Sequence, residues 1–231
     1  MKYDIDLCLT IGRRPTLLRQ TLESLLPRAN FKKIIAINDF RDEETNDVFK
    51  NLCPAGILIN LDEQIGHHRA VDLMYSKVNS PYILHCEDDW LFNSDLMLSE
   101  SIQLLQGNKK IGSVCLRTIE DYNLSIKDKS NAIVHELNDI KFCRLDGLHE
   151  QWHGYTFNPH VTSLSQWKEF GPYSAFKKER HLSRKLRSAG TFVAYLQPGS
   201  CVHIGVDDSV SNPIKKSKFN FRELFNKLGI S

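Results

Sequence analysis

Three consecutive carboxylates, Glu87, Asp88 and Asp89, follow the apolar run 81–86 (PYILHC) and precede Trp90. Like charges packed at the end of a strand repel one another, so a cation is their natural partner. Mg2+ or Mn2+ held by one or two carboxylates keeps coordination positions for a diphosphate. The competing reading is an acidic turn that caps a helix near Ser94. His203 lies in Cys201-Val202-His203-Ile204-Gly205, near the end of a late strand. Imidazole suits Mn2+ better than Mg2+. A lone histidine on an apolar strand is ordinarily a core residue, so His203 becomes a ligand only if the chain returns it to Asp89. His67 and His68 are adjacent, and adjacent helical side chains point about 100° apart. They are expected to line or flank a pocket rather than chelate one ion. Trp152, His153, Tyr155 and Phe157 cluster ahead of Asn158-Pro159. Aromatic faces pack on sugar C–H surfaces and suit the wall of an acceptor or donor-sugar site. Core packing is the alternative, above all for Phe157.

These residues need a scaffold, and the first half of the chain supplies a pattern for one. Apolar runs at 5–11, 33–38, 56–61 and 81–86 alternate with helical spacing after Pro15, after Asp42 and over 66–78. Strand–helix repetition of this kind predicts βαβ units and an α/β/α sandwich with a mostly parallel sheet. In such sheets ligands bind beyond the carboxyl ends of the strands. The four runs lead into 10–14, Asn38-Asp39, Asp62-Glu63 and the acidic triplet, so one pocket could collect them all. The second half is less regular. A helix is expected from Ser94 through Gln106, a strand over 112–117, helices over 163–170 and 176–188 with Gly190 as terminator, and closing strands over 191–196 and 200–204. The polar stretch 120–150 suggests a hairpin at most.

Composition bounds the rest. The chain has 231 residues, 30 Lys and Arg against 28 Asp and Glu, and 41% hydrophobic residues. That is ordinary for a globular domain and excludes disordered, collagenous and disulfide-scaffold classes. A net charge of +2 gives no reason to expect nucleic acid. No apolar run approaches the roughly 20 residues that span a bilayer. Acidic residues at Asp4 and Asp6 interrupt any secretory leader at the N-terminus. The six cysteines lack CxxC spacing and are read as reduced and buried, in the cytosol.

The order of these pieces resembles a GT-A-fold glycosyltransferase, close to the family 2 group. The resemblance covers roughly residues 4–205. It rests on Thr10-Ile11-Gly12-Arg13-Arg14-Pro15, Ile37-Asn38-Asp39, Gly66-His67-His68-Arg69-Ala70, Glu87-Asp88-Asp89, Phe157-Asn158-Pro159, Lys178-Glu179 ahead of Gly190, and His203-Ile204-Gly205. It implies that Thr10, Arg13 and Asp39 hold the nucleoside of a nucleotide sugar and that Arg69 borders the donor. It implies that Asp88 and Asp89 form the DxD motif, with Asp89 and His203 on the metal. Glu179 matches the catalytic base of an inverting transfer, which takes the proton of the acceptor hydroxyl. The alternative for Glu179 is a surface helix laced with polar pairs.

Several departures matter. The triplet reads Glu-Asp-Asp rather than Asp-x-Asp, and Lys178 replaces the first member of the usual acidic pair before Glu179. The stretch after the second strand reads Asn38-Asp39-Phe40-Arg41 instead of Asp-Asp-x-Ser. No Gln-x-x-Arg-Trp occurs, which favours single-sugar transfer over processive synthesis.

The resemblance implies residues 1–212 as the catalytic domain, with a nucleotide-sugar half over about 1–90 and an acceptor half over 91–212. The donor is expected to be a nucleoside-diphosphate sugar, with UDP as the carrier, and the acceptor a glycan or lipid-linked hydroxyl of a surface polysaccharide. Residues 213–231 carry Lys215, Lys216, Lys218, Arg222 and Lys227 against Glu223, with Phe221, Leu224, Phe225 and Leu228 at helical spacing. This basic amphipathic tail reads as a peripheral contact with the inner face of a membrane. Alternatively it docks on its own domain or on a second subunit of a homodimer. A nucleotidyltransferase is disfavoured by the single glycine in Gly12-Arg13-Arg14, and a non-catalytic binding domain by the joint presence of Asp88, Asp89, Glu179 and His203.

Overall fold

The computed structural model describes residues 4–125, 127–128 and 132–205. The tail 213–231, and with it the expected membrane or dimer contact, lies outside the described residues.

The apolar runs of the first half become strands β1 (Ile5–Ile11), β2 (Ile34–Asn38), β3 (Ile57–Ile59) and β4 (Tyr82–Glu87). Three helices connect them: α1 (Pro15–Leu25), α2 (Glu43–Leu52) and α3 (His67–Tyr75). Pro15 opens α1 because its missing N–H costs nothing in a first turn. Asp42 caps α2 by accepting the Thr45 N–H at 3.2 Å. Leu18, Leu22 and Leu25 are fully buried on the inner face of α1, each stabilising the fold by about 1.5–3 kcal/mol relative to exposure.

The second half adds β5 (Trp90–Phe92), α4 (Leu98–Gly107), β6 (Ile111–Cys115), the hairpin β7 (Ile133–Leu137) and β8 (Ile140–Arg144), and β9 (His160–Ser163). Then follow α5 (Leu164–Phe170), α6 (Glu179–Ser188), β10 (Phe192–Leu196) and β11 (Cys201–His203). Gly190, at φ 81°, ends α6 in the left-handed conformation that glycine adopts without a Cβ penalty.

Among the described residues nine strands form one sheet in the order β3-β2-β1-β4-β9-β6-β10-β8-β7. Only β9 and β8 run against the common direction. Helices α1, α2 and α4 bury Leu18, Phe49 and Leu104 on one face, and α3, α5 and α6 bury Met74, Leu164 and Leu182 on the other. This is the expected α/β/α sandwich, with a reversed strand inserted at its centre.

One local expectation is corrected. Ser94 does not cap a helix: α4 begins at Leu98 after Met97, and the Ser94 hydroxyl faces the Gly199 carbonyl at 3.5 Å. The acidic triplet therefore leads into a strand, β5, rather than into a helix cap. The strand expected over 200–204 is present as β11, which pairs antiparallel with β5 in a two-stranded sheet of their own. The six cysteines are buried and unpaired. Among the described residues no helix is long and apolar enough to cross a membrane.

Candidate active site at the carboxyl edge of the sheet

Strands β1 and β4 are parallel neighbours, with Thr10 beside Glu87 in register. Residues just past both ends therefore meet. Asp88 accepts the Gly12 N–H on Oδ2 at 2.9 Å and the Arg14 guanidinium on Oδ1. Asp89 accepts the second arm of the same guanidinium on Oδ2 at 2.6 Å. The β5–β11 pairing sets His203 opposite Trp90. That register closes a separation of 114 residues and brings His203 Nε2 to 3.0 Å from Asp89 Oδ2. The Ile204 N–H also donates to the Asp89 carbonyl at 2.9 Å. Gly205 passes so close that a Cβ there would lie 2.5 Å from Asp89 Oδ2.

The electrostatics of the triplet are uneven. Burial pushes the Asp88 carboxyl up to about 7, against the pull of Arg14. Burial acts on Asp89 in the same sense, but the His203 hydrogen bond and the Arg14 charge outweigh it and hold that carboxyl below its ordinary value. Glu87 is driven well upward by burial and by the negative charges of Asp89, Glu179 and Asp88. Asp89 is thus the carboxylate kept ionised, and its Oδ1 is buried without a hydrogen-bond partner among the described residues. An orphaned, buried, anionic oxygen beside an imidazole fits a divalent cation. No group of three or more His, Cys, Asp or Glu side chains converges to hold a metal among the described residues. Asp89 and His203 could supply two ligands only, which leaves the remaining positions to phosphate oxygens and water.

Glu179 opens α6, where the helix dipole favours a negative charge. The nearby Phe157 N–H and Thr156 hydroxyl favour its charged form, yet burial dominates and raises the carboxyl to about 7. Its charge is felt by Glu87 across the cleft. A cavity of about 240 Å3 opens beside the triplet, lined by Thr10, Gly12, Arg14, Asp39, Phe40, His67, Glu87 and Asp88 among others. One wall is the N-terminus of α3. Both oxygens of Asp39 hold the loop before it, accepting the Ile65 N–H at 2.7 Å and the Gly66 N–H at 3.0 Å.

The profile of glycosyl transferase family 2 matches residues 8–179. The chain belongs to this family. No curated protein matches it in sequence. Among solved structures it is similar to the mannosyltransferase PcManGT from Pyrobaculum calidifontis in complex with GDP-Man and Mn2+, with a TM-score of 0.61 and 13% identity. The match covers 88% of this chain and 57% of that one. It is also similar to S. aureus TarS 1-349, with a TM-score of 0.61 and 11% identity over 90% of this chain and 62% of that one. The family 2 chain thus spans about three fifths of these structures' lengths, and the likeness shows a shared GT-A fold.

Against the family pattern the expected site residues divide. Thr10, Asp39 and Asp88 line the cavity; Asp89 and His203 do not line it but pair with each other directly after Asp88, and the charge of Glu179 acts on the cavity-lining Glu87. Arg13 turns outward, its guanidinium 4.8 Å from the Phe40 ring and its N–H on Asp42 Oδ1 at 2.7 Å. Arg69 is exposed on α3 and does not line the cavity. Tyr155 is not a wall: it is 1% exposed and packs on Tyr173 and Phe157 in the core. His153 holds the Tyr195 hydroxyl with Nδ1 at 3.0 Å, and Trp152 is 38% exposed; neither reaches the cavity.

Four residues went unread in the sequence. Arg14 grips the acidic pair, and Arg117 holds Asp121 at 2.8 Å while its ring-stacked guanidinium reaches Asn158 at 3.1 Å. Asp121 in turn accepts the His203 N–H at 2.9 Å, and the Tyr122 hydroxyl donates to Asn158. The available signals were an arginine four residues past Thr10 on the strand beside the triplet, and the i,i+4 spacing of Arg117 and Asp121.

Proposed function

We propose that the chain is an inverting, divalent-metal-dependent glycosyltransferase. It moves one sugar from a nucleoside-diphosphate sugar to a hydroxyl of a glycan or lipid-linked acceptor. The observation that carries this reading is the Asp89–His203 pair next in the chain to Glu87 and Asp88, which line the cavity at the carboxyl edge of the sheet, with the charge of Glu179 acting on Glu87. Membership of family 2 supports the reaction class, and the PcManGT complex with GDP-Man and Mn2+ supports the donor class and the ion.

In this reading the cavity floor of Thr10 and Asp39 takes the nucleoside, and the diphosphate lies toward Asp88 and Asp89. A bound Mn2+ or Mg2+ would stabilise the charge on the departing nucleoside diphosphate. Glu179 accepts the proton of the acceptor hydroxyl as its oxygen bonds to the anomeric carbon. The bond from that carbon to the phosphate oxygen breaks on the opposite face, and its electron pair leaves with the diphosphate. A carboxyl raised to about 7 is suited to this task, because it is ionised near neutrality and still basic enough to hold a proton.

Thermal shift with UDP, GDP, CDP or dTDP and Mn2+ tests the reading. One nucleoside diphosphate with Mn2+ should raise Tm by more than the sum of the two separate effects. Additive or absent shifts for all four would count against it.

A further inference from the structure

The acidic pair already has a cation. One arm of the Arg14 guanidinium lies 2.6 Å from Asp89 Oδ2 and the other sits on Asp88 Oδ1. The three side chains are only 14%, 2% and 7% exposed, so this pair is weakly screened by solvent. Asp89 Oδ2 is shared by Arg14 and His203, whereas Asp89 Oδ1 and Arg14 Nε are both buried without a hydrogen-bond partner among the described residues. The fork is therefore fully engaged on its outer arms and incompletely satisfied around them. A divalent ion on Asp89 would bind about 2.0–2.6 Å from a carboxylate oxygen. It would then meet a fixed positive charge at near contact distance, which Coulomb repulsion in a shielded site opposes.

We infer that Arg14 is an exchangeable counter-ion: it neutralises Asp88 and Asp89 while no metal is bound and gives up Asp89 when a divalent cation enters. This rests on the proposed role of Asp89 as a metal ligand. Arg14 can make the exchange by side-chain rotation, since it precedes the first turn of α1 and borders the donor cavity. Freed from Asp89, its planar fork faces the space assigned to the diphosphate and matches phosphate oxygens. Cation and nucleoside diphosphate then become reciprocally linked: each favours the conformer the other needs. Arg14 thus suppresses metal binding in the absence of donor and rewards it in its presence.

The test is Mn2+ affinity, read from the EPR signal of free Mn2+, for the full chain and for Arg14→Gln and Arg14→Lys, with and without UDP or GDP. Without nucleotide, Arg14→Gln should bind Mn2+ roughly ten- to a hundredfold more tightly than wild type, as expected when a charged hydrogen bond no longer competes. Arg14→Lys, which keeps the charge but cannot span both carboxylates, should show a smaller gain. The gain in Mn2+ affinity on adding nucleotide should shrink in both variants. Should the Gln variant fail to fold, the Lys variant carries the same comparison. Equal or weaker Mn2+ binding by the variants overturns the exchange and leaves the transferase reading standing. Absence of Mn2+ binding in every protein, with every nucleotide, overturns both.

Discussion

Glu179 shows most clearly how one residue's environment sets its chemistry. Burial raises its carboxyl from 4.5 to about 7. If it is the base, kcat/KM should rise with pH through about 7 and level off above. Glu179→Gln should leave KM for the donor within a few-fold and lower kcat by roughly 10²–10⁴. Stability gives an independent readout with the opposite sense. The folded protein binds this proton more tightly than the unfolded chain, so the stabilisation is present below pH 4.5 and is lost as pH rises through about 7. Glu179→Gln should therefore be more stable than wild type at pH 8, by on the order of 1–2 kcal/mol, and gain nothing near pH 4. Denaturant titration at the two pH values checks this. The acidic triplet, Glu179 and His203 were legible in the sequence through their order. Arg14 was not, because Arg13 beside it has the same chemistry. The backbone decides between them: Arg13 takes φ 59° and turns to Phe40, which leaves Arg14 aimed at the carboxylates.

At the scale of elements, the short β5–β11 ribbon does what the acidic triplet alone cannot, because it fixes Asp89 against His203. Gly205→Ala would place a methyl 2.5 Å from Asp89 Oδ2 and should weaken Mn2+ binding by roughly tenfold. Asp121→Ala removes the acceptor of the His203 N–H and releases Arg117. It should cost roughly 10–100-fold in Mn2+ affinity with little change in the far-UV CD spectrum. Mn2+ titrations of the two variants check both statements. The β1–β4 repeat was readable because its apolar runs are long and separated by helical spacing. Strand β9 was not: it has four residues, two of them the polar His160 and Thr162, buried by neighbours far away in the sequence. Thr162 donates to the Gly112 carbonyl at 2.9 Å, and His160 pairs with the Asn158 carbonyl at 2.8 Å. The aromatic cluster misled for a related reason. Tyr155 and Phe157 fill the core against α3, and spacing alone does not separate a core aromatic from a sugar platform.

For the molecule as a whole, the near-neutral charge hides an uneven distribution. The tail after residue 212 carries Lys215, Lys216, Lys218, Arg222 and Lys227 against Glu223, so the remainder is slightly acidic. Every residue assigned a part in the proposed chemistry lies between Thr10 and Gly205. A chain ending at residue 212 should therefore keep the joint thermal shift with nucleoside diphosphate and Mn2+. If the tail contacts membrane, the same truncation should abolish co-sedimentation with anionic vesicles and leave neutral vesicles unaffected. In the proposed reaction this site cleaves the bond between sugar and diphosphate, and Asp89 and Glu179 serve the step. Slow hydrolysis of UDP- and GDP-sugars with Mn2+, in the absence of acceptor, measures it most directly. The wild-type chain should release nucleoside diphosphate from at least one donor, and both Asp89→Asn and Glu179→Gln should abolish that release. Hydrolysis that persists unchanged in either variant, or its absence for every donor offered, would contradict the proposed reaction.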